Sequence, residues 1–462
     1  MRVLLVVYDN GSYTHVFPMG LGYITAVLEK NGYQVDIFNQ DVHHYPDSHL
    51  TKLLDETHYD MVGVSLIAGY YQYRKLLGIS EAINRSKNRP FYVLGGYGPS
   101  PEPAYFLRKT GADAVVMGEG EVTVLELMEA LANKTGLKKI NGLAWRDGDE
   151  VTVNPERSLI TDVDSIPWPA YDRFPIWYYR LLRKERCKPT DFVMTMMSGR
   201  GCTFKCTFCY RMDKGFRART PEAIMEEVKY LHLDHGITYF AFYDDLLMSS
   251  VQRTEEISNA FLKANLPVVW NCNGRLNYAT PDLLRLMKQS GCVFINYGIE
   301  ALDNEVLKNM KKGLRVDQIV KGVEATLASG ISPGLNVIFG NIGDNRETLN
   351  KAVDFMLKYD DFAQMRTIRP VTPYPGSPLY YDAIAKGMLE GAEDFYERKH
   401  LNSDLMCCNF TELSDDEFYD ALLDANKRLQ ANYWDSARKR ALDQVEQLYT
   451  VRDVNFRGFR QI

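Results

Sequence analysis

The stretch RGCTFKCTFCY, residues 200–210, places Cys202, Cys206 and Cys209 at spacings of four and three, directly after the strand-like run FVMTMMS. A loop of that length can wrap three thiolates around one inorganic centre. Thiolate is the preferred ligand of iron–sulfur clusters, and four cysteines complete the usual set. The nearby chain offers three, which leaves one iron for a ligand that is not protein. A zinc knuckle or a redox Cys-x-x-Cys pair would use the same residue type. Zinc, however, wants a fourth ligand, and no histidine lies close by in sequence. The other five cysteines, Cys187, Cys272, Cys292, Cys407 and Cys408, read as buried small hydrophobes. The adjacent pair Cys407 and Cys408 is also a candidate for thiols on the substrate side. Eight cysteines in 462 residues do not form the disulfide framework of a small secreted domain.

Cys-x-x-x-Cys-x-aromatic-Cys after the first strand of a βα series resembles the signature loop of the radical S-adenosylmethionine (SAM) superfamily. The resemblance implies a [4Fe–4S] cluster on Cys202, Cys206 and Cys209 whose open iron takes the amino and carboxylate groups of SAM. An electron from the reduced cluster then cleaves a carbon–sulfur bond to give a 5′-deoxyadenosyl radical. Phe208 matches the aromatic position near the adenine. FYDDLLM resembles the second-strand motif, with Asp244 or Asp245 facing the methionine part. NYGIEALDNEVLKNMKKG resembles the fourth-strand block, where Glu300 would accept from the ribose hydroxyls. FGNIGDNRET resembles the fifth-strand turn, and PVTPYPGSPLY a stretch near the end of the barrel. Arg369, near the last strand, is a candidate to pair with a carboxylate of cofactor or substrate, because its planar fork suits that geometry. A structural salt bridge is the equal alternative.

The amino-terminal half, with PMGLGYITAVLEKNGYQVDIFNQD, VGVSL, VLGGYGPS and GADAVVMGEGE, resembles the cobalamin-binding domain that precedes the radical module in one large subfamily. Small residues at Gly20, Gly22, Ser65, Gly95 and Gly96 fall at strand ends and turns, where backbone can approach a broad flat ligand. Glu119 lies in the last of these segments. No Gly-x-Gly-x-x-Gly follows the first strand, which argues against a dinucleotide. Many cobalamin domains carry Asp-x-His-x-x-Gly; here the loop reads YDNGSYTHVFPMG, with Asp9 and His15 at a different spacing. Cobalamin is therefore expected without a histidine ligand from this motif, with Tyr70 and Tyr71 near its lower face. The alternative is a domain that keeps the fold and has lost the cofactor.

Two series of elements must position these residues. Up to about residue 140, β-rich runs alternate with helical ones, which predicts a doubly wound, Rossmann-like α/β domain with its ligand at the carboxyl ends of parallel strands. From Phe192, six βα-like units follow, too few to close an eight-stranded barrel, so a partial (β/α)6 barrel is expected. The expected division is a cobalamin-type domain over residues 1–140, a connector over 141–190, the partial barrel over 191–385 and a C-terminal helical region over 386–462. The connector holds the β-like patch LAWRDGDEVTV and the stretch SIPWPAYDRFPIWYY, and the C-terminal region is highly charged from about 412.

Composition narrows the function further. At 45% hydrophobic and 25% charged, with no apolar run near the ~20 residues of a span, the chain should not cross a membrane. The first residues lack a signal peptide's apolar core and cleavage site, which predicts a cytoplasmic protein. A net charge of −6 argues against broad attraction to nucleic acid. The expected partners are a small-molecule substrate and an external electron donor such as flavodoxin or ferredoxin. With both cofactors present, the favoured activity is methylation of an unactivated carbon, or a phosphorus, of a small metabolite. A non-methylating radical reaction, such as oxidative cyclisation of a porphyrin ester, is the alternative within enzymes. Methylthiolation of transfer RNA fits poorly, because the amino-terminal half lacks three cysteines for a second cluster. A cobalamin- or redox-sensing binding protein is the alternative of another class.

Overall fold

A computed structural model describes residues 1–11, 15–452 and 454–456. The chain forms two compact units. The first comprises residues 1–183, 192–247 and 372–408, and the second residues 184–191, 248–371 and 409 onward.

The first unit is built on a seven-stranded sheet. Its strands are β1 (Arg2–Val7), β2 (Gln34–Asn39), β3 (Met61–Ser65), β4 (Phe91–Gly95), β5 (Ala114–Val116), β6 (Leu143–Asp147) and β7 (Glu150–Val153). They lie in the order 2-1-3-4-5-6-7, with β1 to β5 parallel. Val3 to Val7 are all buried, as a strand covered by helices on both faces requires. The chain order reverses between β1 and β3, and that switch point is where doubly wound sheets bind ligands.

Residues 143–153, expected in a connector, instead extend this sheet as the antiparallel hairpin β6–β7. The reason lies in the pairing: β6 gives β5 a partner along its outer edge, from Ala114 opposite Trp145 to Val116 opposite Leu143. Sequence alternation alone does not say which sheet such a hairpin joins.

The same unit holds the parallel pair β8 (Val193–Met196) and β11 (Tyr239–Phe242), every residue of which is buried. Between them lie the cysteine loop and a two-residue ladder of β9 (Gly199–Arg200) with β10 (Arg217–Ala218). The helix Pro221–His235 follows, its start fixed by proline in the first turn and by the Thr220 hydroxyl accepting from the Ala223 N–H.

The second unit carries four more parallel strands, β12 (Val269–Gly274), β13 (Cys292–Glu300), β14 (Ser332–Phe339) and β15 (Arg369–Pro370), adjacent in that order. The helices Pro281–Gln289, Val316–Ala328 and Arg346–Lys358 follow successive strands. Counting β8 and β11 of the first unit, the parallel strands that follow residue 190 number six among the described residues, as the sequence predicts. The C-terminal helix Asp415–Val451 runs 37 residues, about 55 Å. Its buried residues, Phe418, Ala421, Leu422, Ala425 and Leu429, all lie in the first half. Phe418 stacks on Phe339, with ring centroids 4.8 Å apart. Among the described residues, no helix is long and apolar enough to cross a membrane.

Candidate functional site

A cavity of about 310 Å³ opens at the carboxyl ends of β1, β3, β4 and β5. Most of its wall is aliphatic side chain and glycine backbone, including Met61, Val64, Val93 and Val116. Ser65, Gly95, Gly96 and Glu119, four of the residues singled out from sequence, all line it. Gly96 shows why glycine is needed: its φ is +95°, and a Cβ there would lie 2.5 Å from the Leu66 carbonyl oxygen. That neighbour is backbone and cannot yield. Gly96→Ala is expected to cost about 1–3 kcal/mol in strain, read by thermal midpoint. A midpoint equal to the parent's would contradict the strain argument.

The cavity is walled on another side by residues that flank the cysteine loop: Met197, Arg200, Met212 and Asp213. A buried charge cluster joins the two sequence regions. The Glu119 carboxylate accepts from Arg200 Nη1 at 2.7 Å, from Arg217 Nη1 at 2.8 Å and from the Ile160 N–H at 2.8 Å. Arg200 Nη2 donates to Glu121 Oε1 at 2.5 Å. Burial pushes the Glu119 carboxyl up, but the Ile160 N–H and the two guanidiniums outweigh it and hold the group below its usual range. Glu119, expected to contact the cofactor, thus spends its oxygens on protein donors and clamps the loop to the cavity.

Asp213 is the uncompensated member. Burial, reinforced by Glu119, pushes its carboxyl up to about 6 against the opposing pull of Arg217 and Arg200. A carboxyl raised in this way destabilises the fold above pH 6, and the cost vanishes below the unfolded value of about 3.9, where both states hold the proton. Asp213→Asn is therefore expected to raise the urea midpoint at pH 8, by up to about 3 kcal/mol of stability, with the gain fading as pH falls through 6 towards 4. An equal gain at pH 4 and pH 8 would contradict it.

Cys202, Cys206 and Cys209 sit on one loop of this unit, Cys206 buried and Cys202 and Cys209 half-buried. The Cys209 N–H donates to the Cys206 carbonyl at 3.3 Å, which turns the chain tightly between them. Phe208 is half-buried on the same turn. Among the described residues, no three His, Cys, Asp or Glu side chains converge on one ion. A cube offers a different iron to each thiolate, so convergence on one point is not what the loop must supply. The Leu379 N–H donates to the Thr207 carbonyl at 2.9 Å, which packs the helix Pro378–Ala385 on the loop.

The carboxylates of FYDDLLM divide their roles. Asp244 is fully buried and accepts from the Ser198 N–H at 2.6 Å and from the Ser198 hydroxyl, tying the end of β11 to the end of β8. Asp245 is open to solvent yet recessed, and burial holds its carboxyl above the usual range. Of the two, Asp245 is the one a ligand can reach.

Tyr70 and Tyr71 do not line the cavity. Tyr70 begins the helix Tyr70–Arg85, with its ring edge-on to His400 at 6.1 Å, and the Tyr71 hydroxyl donates to the Asp9 carbonyl at 3.2 Å. His15 packs on Tyr178, with ring centroids 4.5 Å apart, and no described residue lining the cavity is a histidine.

In the second unit, Glu300 ends β13 with a positive φ of 69° and pairs with Lys312 Nζ at 2.8 Å. A Cβ at Gly298 would fall 2.3 Å from the Glu300 carboxylate, so the glycine makes room for this pair. Arg369 is exposed on β15.

Arg200, Glu121, Asp213 and Arg217 were not singled out from sequence. The available signal was charge: RGC and KGFRAR flank the cysteines, and GEGE closes the other half's glycine pattern. Nothing in the spacing pairs them.

Residues 7–128 match the B12 binding domain and residues 196–356 the radical SAM superfamily. The chain is 32% identical, over 80% of its length and 79% of the relative's, to an uncharacterised methyltransferase of Pyrococcus horikoshii. It is 27% identical, over 82% of its length and 80% of the relative's, to a cytidylyl-2-hydroxyethylphosphonate methyltransferase of Streptomyces wedmorensis. Its fold is similar to that of the radical SAM methyltransferase TsrM of Kitasatospora setae, solved with cobalamin and a [4Fe–4S] cluster bound. That likeness has a TM-score of 0.72 at 18% identity and covers 92% of this chain and 88% of the other. The chain belongs to the radical SAM superfamily, in the branch that carries a B12-binding domain ahead of the radical module, and is an enzyme whose cofactors are a [4Fe–4S] cluster, SAM and cobalamin.

Proposed function

We propose that the enzyme transfers a methyl group to an unactivated carbon, or a phosphorus, of a small metabolite. The observation that carries this reading is the shared wall: Met197, Arg200, Met212 and Asp213, which flank the cysteine loop, also line the cavity at the sheet's carboxyl ends. Cys202, Cys206 and Cys209 would hold the cluster and leave one iron for SAM, while Ser65, Gly95 and Gly96 would admit cobalamin at the strand ends. When bound, these groups supply hydrogen abstraction and a transferable methyl group. The chain's own task is positioning and exclusion of water. The Glu119–Arg200–Arg217 clamp fixes the cysteine loop against the cavity, and Asp244 fixes the ends of the two strands beside it. Both relatives above carry methyltransferase in their names, which supports the same chemistry here.

The test is to incubate the anaerobically reconstituted enzyme with methyl-labelled SAM and a chemical reductant, and to measure 5′-deoxyadenosine and S-adenosylhomocysteine together. Both products are expected. 5′-Deoxyadenosine without S-adenosylhomocysteine would move the reading to a non-methylating radical reaction, and neither would leave a binding protein.

A further inference from the structure

We propose that Asp213 binds the corrinoid directly, its carboxylate accepting a neutral N–H or O–H of the cofactor. This rests on the cobalamin reading of the cavity and goes beyond it by naming a residue outside the B12-binding domain. Asp213 lines the cavity and is only 6% exposed. Its Oδ1 has no hydrogen-bond partner. Among the described residues the one cation within ion-pair reach is Arg217, whose Nη2 stands 3.4 Å from Oδ2, while Arg217 Nη1 serves Glu119 and the Ile160 carbonyl. Two guanidiniums face three acids here, Glu119, Glu121 and Asp213; the two glutamates take the short contacts, and although Arg217 Nε and Nη2 have donors to spare, neither bonds Asp213 Oδ1. Buried acceptors are almost always satisfied, so one left over at the wall of a ligand cavity calls for a donor from the ligand.

The placement of Asp213 is enforced locally. Gly201 has φ +83°, and a Cβ there would lie 2.4 Å from the Gly215 carbonyl and 3.3 Å from the Asp213 Cβ. The segment carrying Asp213 can therefore close on the residue before Cys202 only because position 201 has no side chain. A cobalamin offers two kinds of neutral donor, the carboxamide arms around its ring and the ribose hydroxyl of its nucleotide tail. Either suits an acceptor that already has one guanidinium nearby.

The full-length, cluster-reconstituted chain should be titrated with hydroxocobalamin and with cobinamide, which lacks the nucleotide tail, following corrinoid absorbance. Asp213→Ala is expected to raise the hydroxocobalamin Kd about tenfold or more, and Asp213→Asn, which keeps an acceptor, by less. A penalty repeated with cobinamide assigns the contact to a carboxamide arm; one confined to hydroxocobalamin assigns it to the tail. Iron content and thermal midpoint are read in parallel, and if the alanine variant loses iron or melts early, Asp213→Leu, which is of similar size and lacks an acceptor, decides. A Kd within twofold of the parent's in a folded variant that lacks the acceptor overturns the inference while leaving the cobalamin reading intact. A parent chain that takes up no corrinoid overturns both.

Discussion

Cys206→Ala yields a chain that, after anaerobic reconstitution and desalting, retains almost none of its roughly four irons and no charge-transfer absorbance. Cleavage of SAM falls to that of the cluster-free protein. The expectation is this severe because the loop supplies three thiolates, the minimum that leaves one iron open. Cys202→Ala and Cys209→Ala should behave alike. Cys187→Ala, Cys272→Ala and Cys292→Ala, outside the loop, should keep their iron. Full cleavage activity in the Cys206 variant would show that the site assignment is wrong.

Glu119→Ala removes the acceptor shared by two guanidiniums, of which Arg200 is buried. Breaking a buried pair by deleting one partner costs about 3–5 kcal/mol when the remaining charge is left alone, and the cost here falls below that range because Arg200 keeps Glu121 and Arg217 keeps Asp213. The urea midpoint should drop accordingly. Iron loading should fall with it, since Arg200 stands two residues before Cys202 and anchors the start of the loop. Glu119→Gln, which keeps the shape and an acceptor, should lose less. If Glu119→Ala unfolds at the parent's urea concentration, the clamp contributes nothing and the shared wall is held by packing alone.

Much of this was legible in the sequence. The run RVLLVV marked a parallel strand because one buried on both faces is apolar throughout, whereas QVDIFN keeps Gln34, Asp36 and Asn39 as the sheet's edge strand. The cysteine spacing and the glycines at strand ends marked the two regions proposed to hold the cofactors, since each reflects a local requirement of one loop. What escaped was long-range. Glu119 meets Arg200 and Arg217 across 81 and 98 residues, and no local pattern pairs a given glutamate with a given arginine. Asp244 and Asp245 are chemically the same in sequence, and only the Ser198 hydrogen bonds separate the tie from the open carboxylate. Tyr70 looked close to the ligand because it follows β3 within a few residues, but the helix it starts carries its ring to His400 instead.

Methyl transfer by this route requires one chain to hold both cofactors. Iron, sulfide and cobalt should be measured together on the desalted protein after anaerobic reconstitution with hydroxocobalamin. About four irons and one cobalt per chain are expected. Four irons without cobalt would contradict methyl transfer by this route and leave a radical enzyme whose B12-type domain serves another purpose.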